Sequence, residues 1–86
     1  MFGKEAKMAL AISQAENGTR ECNRVGVSGD LGVFQINPRA HYNKATPEQL
    51  KNCLTNIKVA KAIYDTSGWY PWVAYTNKSY KRFLTN

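Results

Sequence analysis

Apolar residues dominate positions 4–16, and the few polar residues there leave most sides of the segment apolar. The apolar positions are Ala6, Met8, Ala9, Leu10, Ala11, Ile12 and Ala15. This pattern is typical of a helix packed at the centre of a domain, so we predict a buried helix over 4–16. Asn17-Gly18 follows directly and predicts the end of that helix, because both residue types favour helix C-termini.

The next segment, 18–32, has a different character, since glycines alternate with polar residues. Its glycines are Gly18, Gly26, Gly29 and Gly32. Such spacing predicts a turn-rich loop with room for a short hairpin. Residues 33–37 form a short apolar stretch whose periodicity does not distinguish helix from strand, and Pro38 ends it.

Helical patterns return in the second half of the chain. Thr46-Pro47-Glu48-Gln49 has the form of a capping box and predicts a helix that runs to about Asn52. A second helix is predicted over 55–67, with apolar residues on one face and Gly68 as its stop. Pro71 predicts the start of a short aromatic helix that continues to about Tyr75, and residues 79–84 predict one last turn.

These elements together predict a mainly α fold, a compact helical domain with a short, reduced loop or hairpin lobe before Pro38. The chain has 86 residues, which suits a single domain over 1–86. No apolar run approaches the ~20 residues of a membrane-spanning helix, so we expect no membrane insertion.

The net charge of +6 changes the picture of possible partners. It favours attraction to polyanions, which include nucleic acid, anionic membrane and cell-wall polymer, although solubility alone explains it equally well. The basic residues are scattered along the chain and form no run that resembles a nucleic-acid-binding arm. We therefore expect no nucleic-acid partner.

Cys22 and Cys53 are the only cysteines, and His41 is the only histidine. These are too few ligands for a zinc site, so no metal is expected. Two buried thiols or one disulfide remain, and the small size of the domain favours the disulfide. A bridge that closes the 22–53 loop would stabilise the fold by roughly 3–4 kcal/mol and would indicate an oxidising compartment.

Two carboxyl groups stand in a context that suits chemistry. Glu16 ends the apolar helix, where partial desolvation would raise its pKa and make it a candidate general acid. Asp30 lies in the polar loop, where it is expected to stay ionised. A protonated and an ionised carboxyl facing one cleft suit glycoside cleavage. From these residues alone, a plain surface glutamate and a turn aspartate remain the simpler interpretation.

Amides and aromatic residues add to the case for a sugar site. Asn17, Gln35 and Asn37 flank the glycine-rich loop, and amides bond to sugar hydroxyl and N-acetyl groups. Aromatic rings, on which sugar faces stack, cluster late in the chain as Trp69, Tyr70, Trp72, Tyr75, Tyr80 and Phe83. The same rings also suit a small core, and we expect the two roles to be shared among them.

At these residues the sequence resembles the lysozyme superfamily. The stretch Gly29–Asn37, read GDLGVFQIN, resembles the c-type lysozyme segment around its second carboxylate, and with Pro38 it is similar to the Gly-Leu-Met-Gln-Ile-x-Pro signature of soluble lytic transglycosylases. Ala15-Glu16-Asn17 resembles the helix end that carries the catalytic glutamate in both families. Asn56-Ile57 and Trp72-Val73-Ala74-Tyr75 resemble later segments, so the match spans about residues 8–77.

The resemblance implies roles for particular residues. Glu16 would be the general acid that protonates the glycosidic oxygen, with Trp72 packed against it. Asp30 would stabilise the oxocarbenium-like transition state or attack as nucleophile, as in lysozymes, whereas transglycosylases work with one glutamate. The substrate-binding residues would be Asn17, Gln35, Asn37, Asn56, Trp72 and Tyr75.

The function implied is that of a lysozyme, which cleaves the β-1,4 bond between N-acetylmuramic acid and N-acetylglucosamine in peptidoglycan. The expected partners are peptidoglycan glycan strands, the expected state is a monomer, and no cofactor is needed. An extracellular or periplasmic location follows, and bacterial or phage origin fits the trimmed form. The short 17–29 segment predicts a shallow, open cleft. A lytic transglycosylase, a non-catalytic glycan-binding module and a basic nucleic-acid binder are the alternatives.

Overall fold

The computed structural model describes residues 2–18, 21–26 and 29–84. The α-helices in these ranges are α1 (Ala6–Glu16), α2 (Pro47–Leu50), α3 (Cys53–Ser67) and α4 (Val73–Thr76). Short 3-10 helices lie at Gly3–Glu5 and Ser79–Phe83. Within the described residues there is no β-strand, so the prediction of a mainly α fold is confirmed.

Helix α1 agrees with the helix predicted over 4–16, except that its first turn is the 3-10 helix Gly3–Glu5. Neither Phe2 nor Glu5 caps the helix with its side chain, and a tight 3-10 turn is common at such an end. Of its apolar residues the helix buries Ala9, Ala11 and Ile12, together with the polar Ser13, whereas Leu10 is exposed, so the helix is buried on one side only. It ends at the predicted place, before Asn17.

The capping box that begins helix α2 is confirmed. The Thr46 hydroxyl accepts the Gln49 backbone N–H at 3.2 Å, and the Gln49 side chain accepts the Thr46 backbone N–H at 2.8 Å. The predicted end at Asn52 is wrong, since α2 stops at Leu50. Asn52 is instead the N-cap of α3, because its side chain accepts the N–H of Thr55 at 3.0 Å.

Helix α3 therefore begins at Cys53, two residues before the predicted start, and it ends at Gly68 as predicted. Helix α4 departs further from prediction, because it begins at Val73 rather than at Pro71. Trp72 is extended, with φ −92° and ψ 122°. Its buried indole N–H donates to the Phe34 carbonyl at 2.9 Å, and this tertiary contact holds Trp72 outside the helix.

The segment between α1 and Pro38 forms a small lobe, described over 21–26 and 29–37. The predicted hairpin is reduced to two isolated antiparallel bridges, Val25 to Leu31 and Leu31 to Ile36. Leu31 and Ile36 exchange two backbone hydrogen bonds of 2.9 Å. The prediction of loop structure at residues 19–20 and 27–28 lies outside the described residues.

The core lies between α1, α3, the lobe and the segment before α4. Ile12 and Leu50 are fully buried in it. Its aromatic part consists of Phe2, Phe34, Tyr64, Trp69 and Trp72, whose neighbouring ring centroids are 4.4–5.9 Å apart. Such tilted and edge contacts are favourable ring arrangements. Of the six residues in the predicted aromatic cluster, Trp69 and Trp72 therefore belong to the buried core, whereas Tyr70 and Phe83 are exposed.

A disulfide joins Cys22 to Cys53, as predicted. Their Cα atoms are 4.8 Å apart. The bridge fastens the chain just after α1 to the first residue of α3, and so ties the lobe to the helical part. None of the helices in the described ranges has the length and hydropathy needed to span a bilayer.

Candidate active site

Glu16 is the last residue of α1, and its side chain reaches the start of α4. Its carboxyl Oε2 accepts the backbone N–H of Ala74 at 3.1 Å. Burial raises the pKa of the Glu16 carboxyl above its ordinary value, the Ala74 N–H lowers it, and the negative charge of Asp30 raises it. Because burial is the largest of these causes, the result is a carboxyl that holds its proton to higher pH than an exposed glutamate.

Asp30 occupies the turn of the lobe that faces Glu16. Its backbone carbonyl accepts the N–H of Gly26 at 2.8 Å, and the next residue, Leu31, makes both lobe bridges. The position of Asp30 is thus fixed on both sides by backbone hydrogen bonds. Asp30 and Glu16 line the same cleft, and the negative charge of Asp30 is the smallest of the three influences on the pKa of Glu16.

The cleft between the lobe and the start of α4 has a volume of about 330 Å³. Five residues singled out from the sequence line it: Glu16, Asp30, Gln35, Asn37 and Trp72. They come from α1, the lobe and the N-cap of α4, which lie far apart in the chain. The arrangement places a raised-pKa acid, a second carboxyl, amides and an indole around one open space.

The lobe side of the cleft is held by Gln35 and Asn37 through the backbone. Gln35 adopts a left-handed conformation with φ 49°, and its side-chain Nε2 donates to the carbonyl of Gly32 at 2.8 Å. The Asn37 side-chain oxygen accepts the N–H groups of Arg39 and Ala40 at 2.8 and 3.2 Å. Both amides thus set the shape of the cleft wall as well as lining it.

Asn17 and Asn56 lie elsewhere, and their side chains have no exposed surface. The Asn17 Nδ2 donates to the carbonyls of Glu21 and Gly32, at 2.7 and 3.2 Å. A side chain without exposed surface does not touch a glycan. In place of the predicted substrate contact, we therefore assign both residues to holding the lobe.

Asn56 joins helix α3 to the lobe with three hydrogen bonds. Its Nδ2 donates to the carbonyls of Leu31 at 2.9 Å and Leu50 at 2.8 Å, and its Oδ1 accepts the N–H of Phe34 at 2.9 Å. The partner backbone is close because Gly32, with φ 79°, has no side chain, and a Cβ there would meet Asn56. One buried amide thereby positions the stretch that follows Asp30.

Tyr75 also lies outside the lining of the cleft. It is half-buried between Tyr80, on which it stacks at 5.3 Å, and Tyr70, which meets it edge-on at 5.4 Å. Tyr70 is exposed. The predicted contact of Tyr75 with substrate therefore needs a glycan that extends beyond the cleft.

Six further residues of the lining were not predicted as site residues: Ile36, Ala40, His41, Ile63, Pro71 and Val73. Burial, and to a lesser degree the charge of Lys44, lowers the pKa of the His41 imidazole. In the sequence, His41 stands out only as the single histidine, a candidate metal ligand. Its backbone N–H donates to the Asn37 carbonyl at 3.2 Å, so the turn after Asn37 carries it to the cleft. No local motif marks that turn.

Comparison with known proteins gives one informative match. The family model of a lysozyme-like domain matches residues 1–74, which include Glu16, Asp30 and Trp72. The chain belongs to the lysozyme-like domain family. The resemblance found in the sequence is thereby confirmed. No curated protein and no solved structure gives a significant match.

Family membership supports, in general terms, an enzyme that lyses peptidoglycan. The match ends at Ala74, so Tyr75 and the 3-10 helix Ser79–Phe83 lie beyond it. Within the described ranges, no three histidine, cysteine or acidic side chains are grouped so as to hold a metal ion.

Proposed function

We propose that this lysozyme-like domain is a peptidoglycan hydrolase that cleaves the β-1,4 bond between N-acetylmuramic acid and N-acetylglucosamine. The observation that carries the proposal is Glu16, a part-buried carboxyl with a raised pKa that shares a cleft with Asp30. A carboxyl whose raised pKa lets it hold its proton to higher pH has the property required of a general acid for glycosidic oxygen.

In this mechanism Glu16 gives its proton to the glycosidic oxygen as the bond from that oxygen to the sugar C1 breaks. The negative charge of Asp30 stabilises the positive charge that develops on the sugar ring. Water then adds its hydroxyl to C1 and returns its proton to Glu16. The same Glu16 can act without Asp30 if the N-acetyl group of the substrate assists, which is the transglycosylase alternative.

Trp72 supports this role through its place in the wall. It is 5% exposed, its indole N–H is bonded to Phe34, and it lines the cleft with Glu16. A rigid apolar ring beside a carboxyl keeps water away and maintains the raised pKa. The positive net charge of the chain favours approach to an anionic wall, and the disulfide favours an extracellular or periplasmic site of action.

The experiment is a digest of purified peptidoglycan followed by mass spectrometry of the released muropeptides. Wild type is compared with Glu16→Gln and with Glu21→Gln, an exposed glutamate beyond the same helix. We expect Glu16→Gln to lose activity by at least about 100-fold, as for a missing general acid, and Glu21→Gln to keep it.

The products decide among the alternatives. Reducing-end sugars support hydrolysis. Products lighter by one water indicate anhydro ends and a lytic transglycosylase. Binding of peptidoglycan without any product from the folded wild type contradicts the enzyme proposal and indicates a glycan-binding module.

A further inference from the structure

A second cavity lies next to the cleft. It has a volume of about 300 Å³ and is lined by Gly29, Asn37, Pro38 and Arg39. Asn37 lines both cavities, and Gly29 directly precedes Asp30. The second cavity therefore adjoins the cleft at Asn37.

The charges of the two cavities differ in sign. The first contains the carboxyls of Glu16 and Asp30, whereas the second contains the guanidinium-bearing Arg39. Among the described residues that line either cavity, Arg39 is the only one with a permanent positive charge. His41 has a lowered pKa and therefore favours its neutral form.

Arg39 sits on a fixed backbone while its side chain remains available. Its N–H donates to the Asn37 side-chain oxygen at 2.8 Å, which fixes the turn at the cavity wall. The residue is exposed, and neither of the ion pairs in the described part of the chain includes it. A guanidinium in this position can bind a carboxylate through two parallel hydrogen bonds.

We propose that the second cavity binds the carboxylate-bearing lactyl-peptide branch of the glycan strand, with Arg39 as the residue that recognises it. This inference rests on the proposed function, because it assigns part of the same peptidoglycan substrate. The branch occurs only on N-acetylmuramic acid. The negative charge of Asp30 in the first cavity repels the negative charge of the branch and Arg39 attracts it, so the branch sets which way the strand lies across Glu16.

Arg39 would then determine specificity for wall glycan over neutral glycan such as chitin. The test compares two tetrasaccharides of equal length, a peptidoglycan fragment with its stem peptides and chitotetraose. Affinity is measured by isothermal titration calorimetry in Glu16→Gln protein, which keeps the ligands intact. Arg39→Gln is compared with Arg82→Gln, whose arginine lies in the 3-10 helix Ser79–Phe83 and lines neither cavity.

We expect Arg39→Gln to weaken binding of the peptidoglycan fragment by about tenfold, with chitotetraose affinity unchanged. Arg82→Gln should leave both affinities unchanged. The proposal would be overturned if Arg39→Gln weakened the affinity for both ligands equally or left the affinity for the peptidoglycan fragment unchanged. It would also be overturned if Arg82→Gln had the same effect as Arg39→Gln. If the peptidoglycan fragment did not bind to the Glu16→Gln protein at all, the proposal would be overturned as well.

The proposed function and this inference fail separately. Selective binding that depends on Arg39, without cleavage of peptidoglycan by the wild type, would remove the hydrolase proposal and leave the branch site. Cleavage of peptidoglycan by the wild type, with affinities that do not depend on Arg39, would remove the branch site and leave the hydrolase proposal.

Discussion

Replacing Asn56 by alanine removes the amide that joins helix α3 to the lobe. The three hydrogen bonds that it makes are 2.8–2.9 Å long and end on backbone groups of Leu31, Leu50 and Phe34. At a net contribution of about 1 kcal/mol each, their loss lowers the free energy of unfolding by about 3 kcal/mol. Backbone groups left buried without partners add to this cost.

Asn52 provides a matched control on the same helix. Its side chain is exposed and caps α3 with one hydrogen bond, to the N–H of Thr55. Loss of such a cap costs about 1 kcal/mol. The two alanine variants should therefore differ by about 2 kcal/mol, which is roughly a 30-fold difference in the unfolding equilibrium constant.

The assay is urea unfolding at 25 °C, followed by the fluorescence of the buried Trp69 and Trp72. We expect Asn56→Ala to lower the free energy of unfolding measured in urea by about 3 kcal/mol. In a parallel thermal melt, the same loss should lower the melting temperature by roughly 12–24 °C in a domain of this size. If Asn56→Ala were no less stable than Asn52→Ala, the amide would not hold the lobe and the assignment would fail.

Three further predictions concern the carboxyl pair, the lobe glycines and the disulfide. Since the acid must be protonated, activity falls as pH rises through the pKa of Glu16. Asp30→Asn removes a charge that raises this pKa, so the alkaline limb of the pH–rate profile should move to lower pH. An unmoved limb would contradict an effect of Asp30 on Glu16. Gly32→Ala should destabilise the protein more than Gly29→Ala in urea unfolding, because both residues have positive φ but only Gly32 lies against Asn56; equal losses would contradict the close packing. Reduction of the Cys22–Cys53 disulfide should lower the free energy of unfolding by roughly 3–4 kcal/mol, measured by urea unfolding with and without reductant. An unchanged unfolding midpoint would contradict a stabilising role of the disulfide.

Several helix ends could be predicted from the sequence because interactions between residues close in the chain form them. The capping box at Thr46 and Gln49 involves residues three apart, so a single segment contains everything that forms it. The same is true of the helix stop at Gly68. The start of α4 was missed because Trp72 is held by Phe34, 38 residues away in the chain, and no local pattern encodes that bond.

The residues of the candidate site also differ in whether the local sequence or only tertiary packing indicates their place. Glu16 and Asp30 became candidates because the segments around them, an apolar helix end and a glycine-rich loop, resemble those of lysozymes. Their context alone favours a surface glutamate and a turn aspartate. Asn56 resembles a cleft amide in sequence, and only tertiary packing shows that its side chain bonds to three backbone groups. His41 reaches the cleft through a turn whose shape depends on the Asn37 side chain and carbonyl.

The amide of Asn56 also has a consequence for local opening of the molecule. In a lobe built on a sheet, neighbouring strands protect each other's amide hydrogens, and the lobe can exchange independently of the helices. In the described part of this lobe, the N–H of Phe34 is protected by a side chain of α3 instead. The lobe and the first turns of α3 therefore form one cooperative unit, in which hydrogen exchange at Phe34 reports the opening of the helix that supports it.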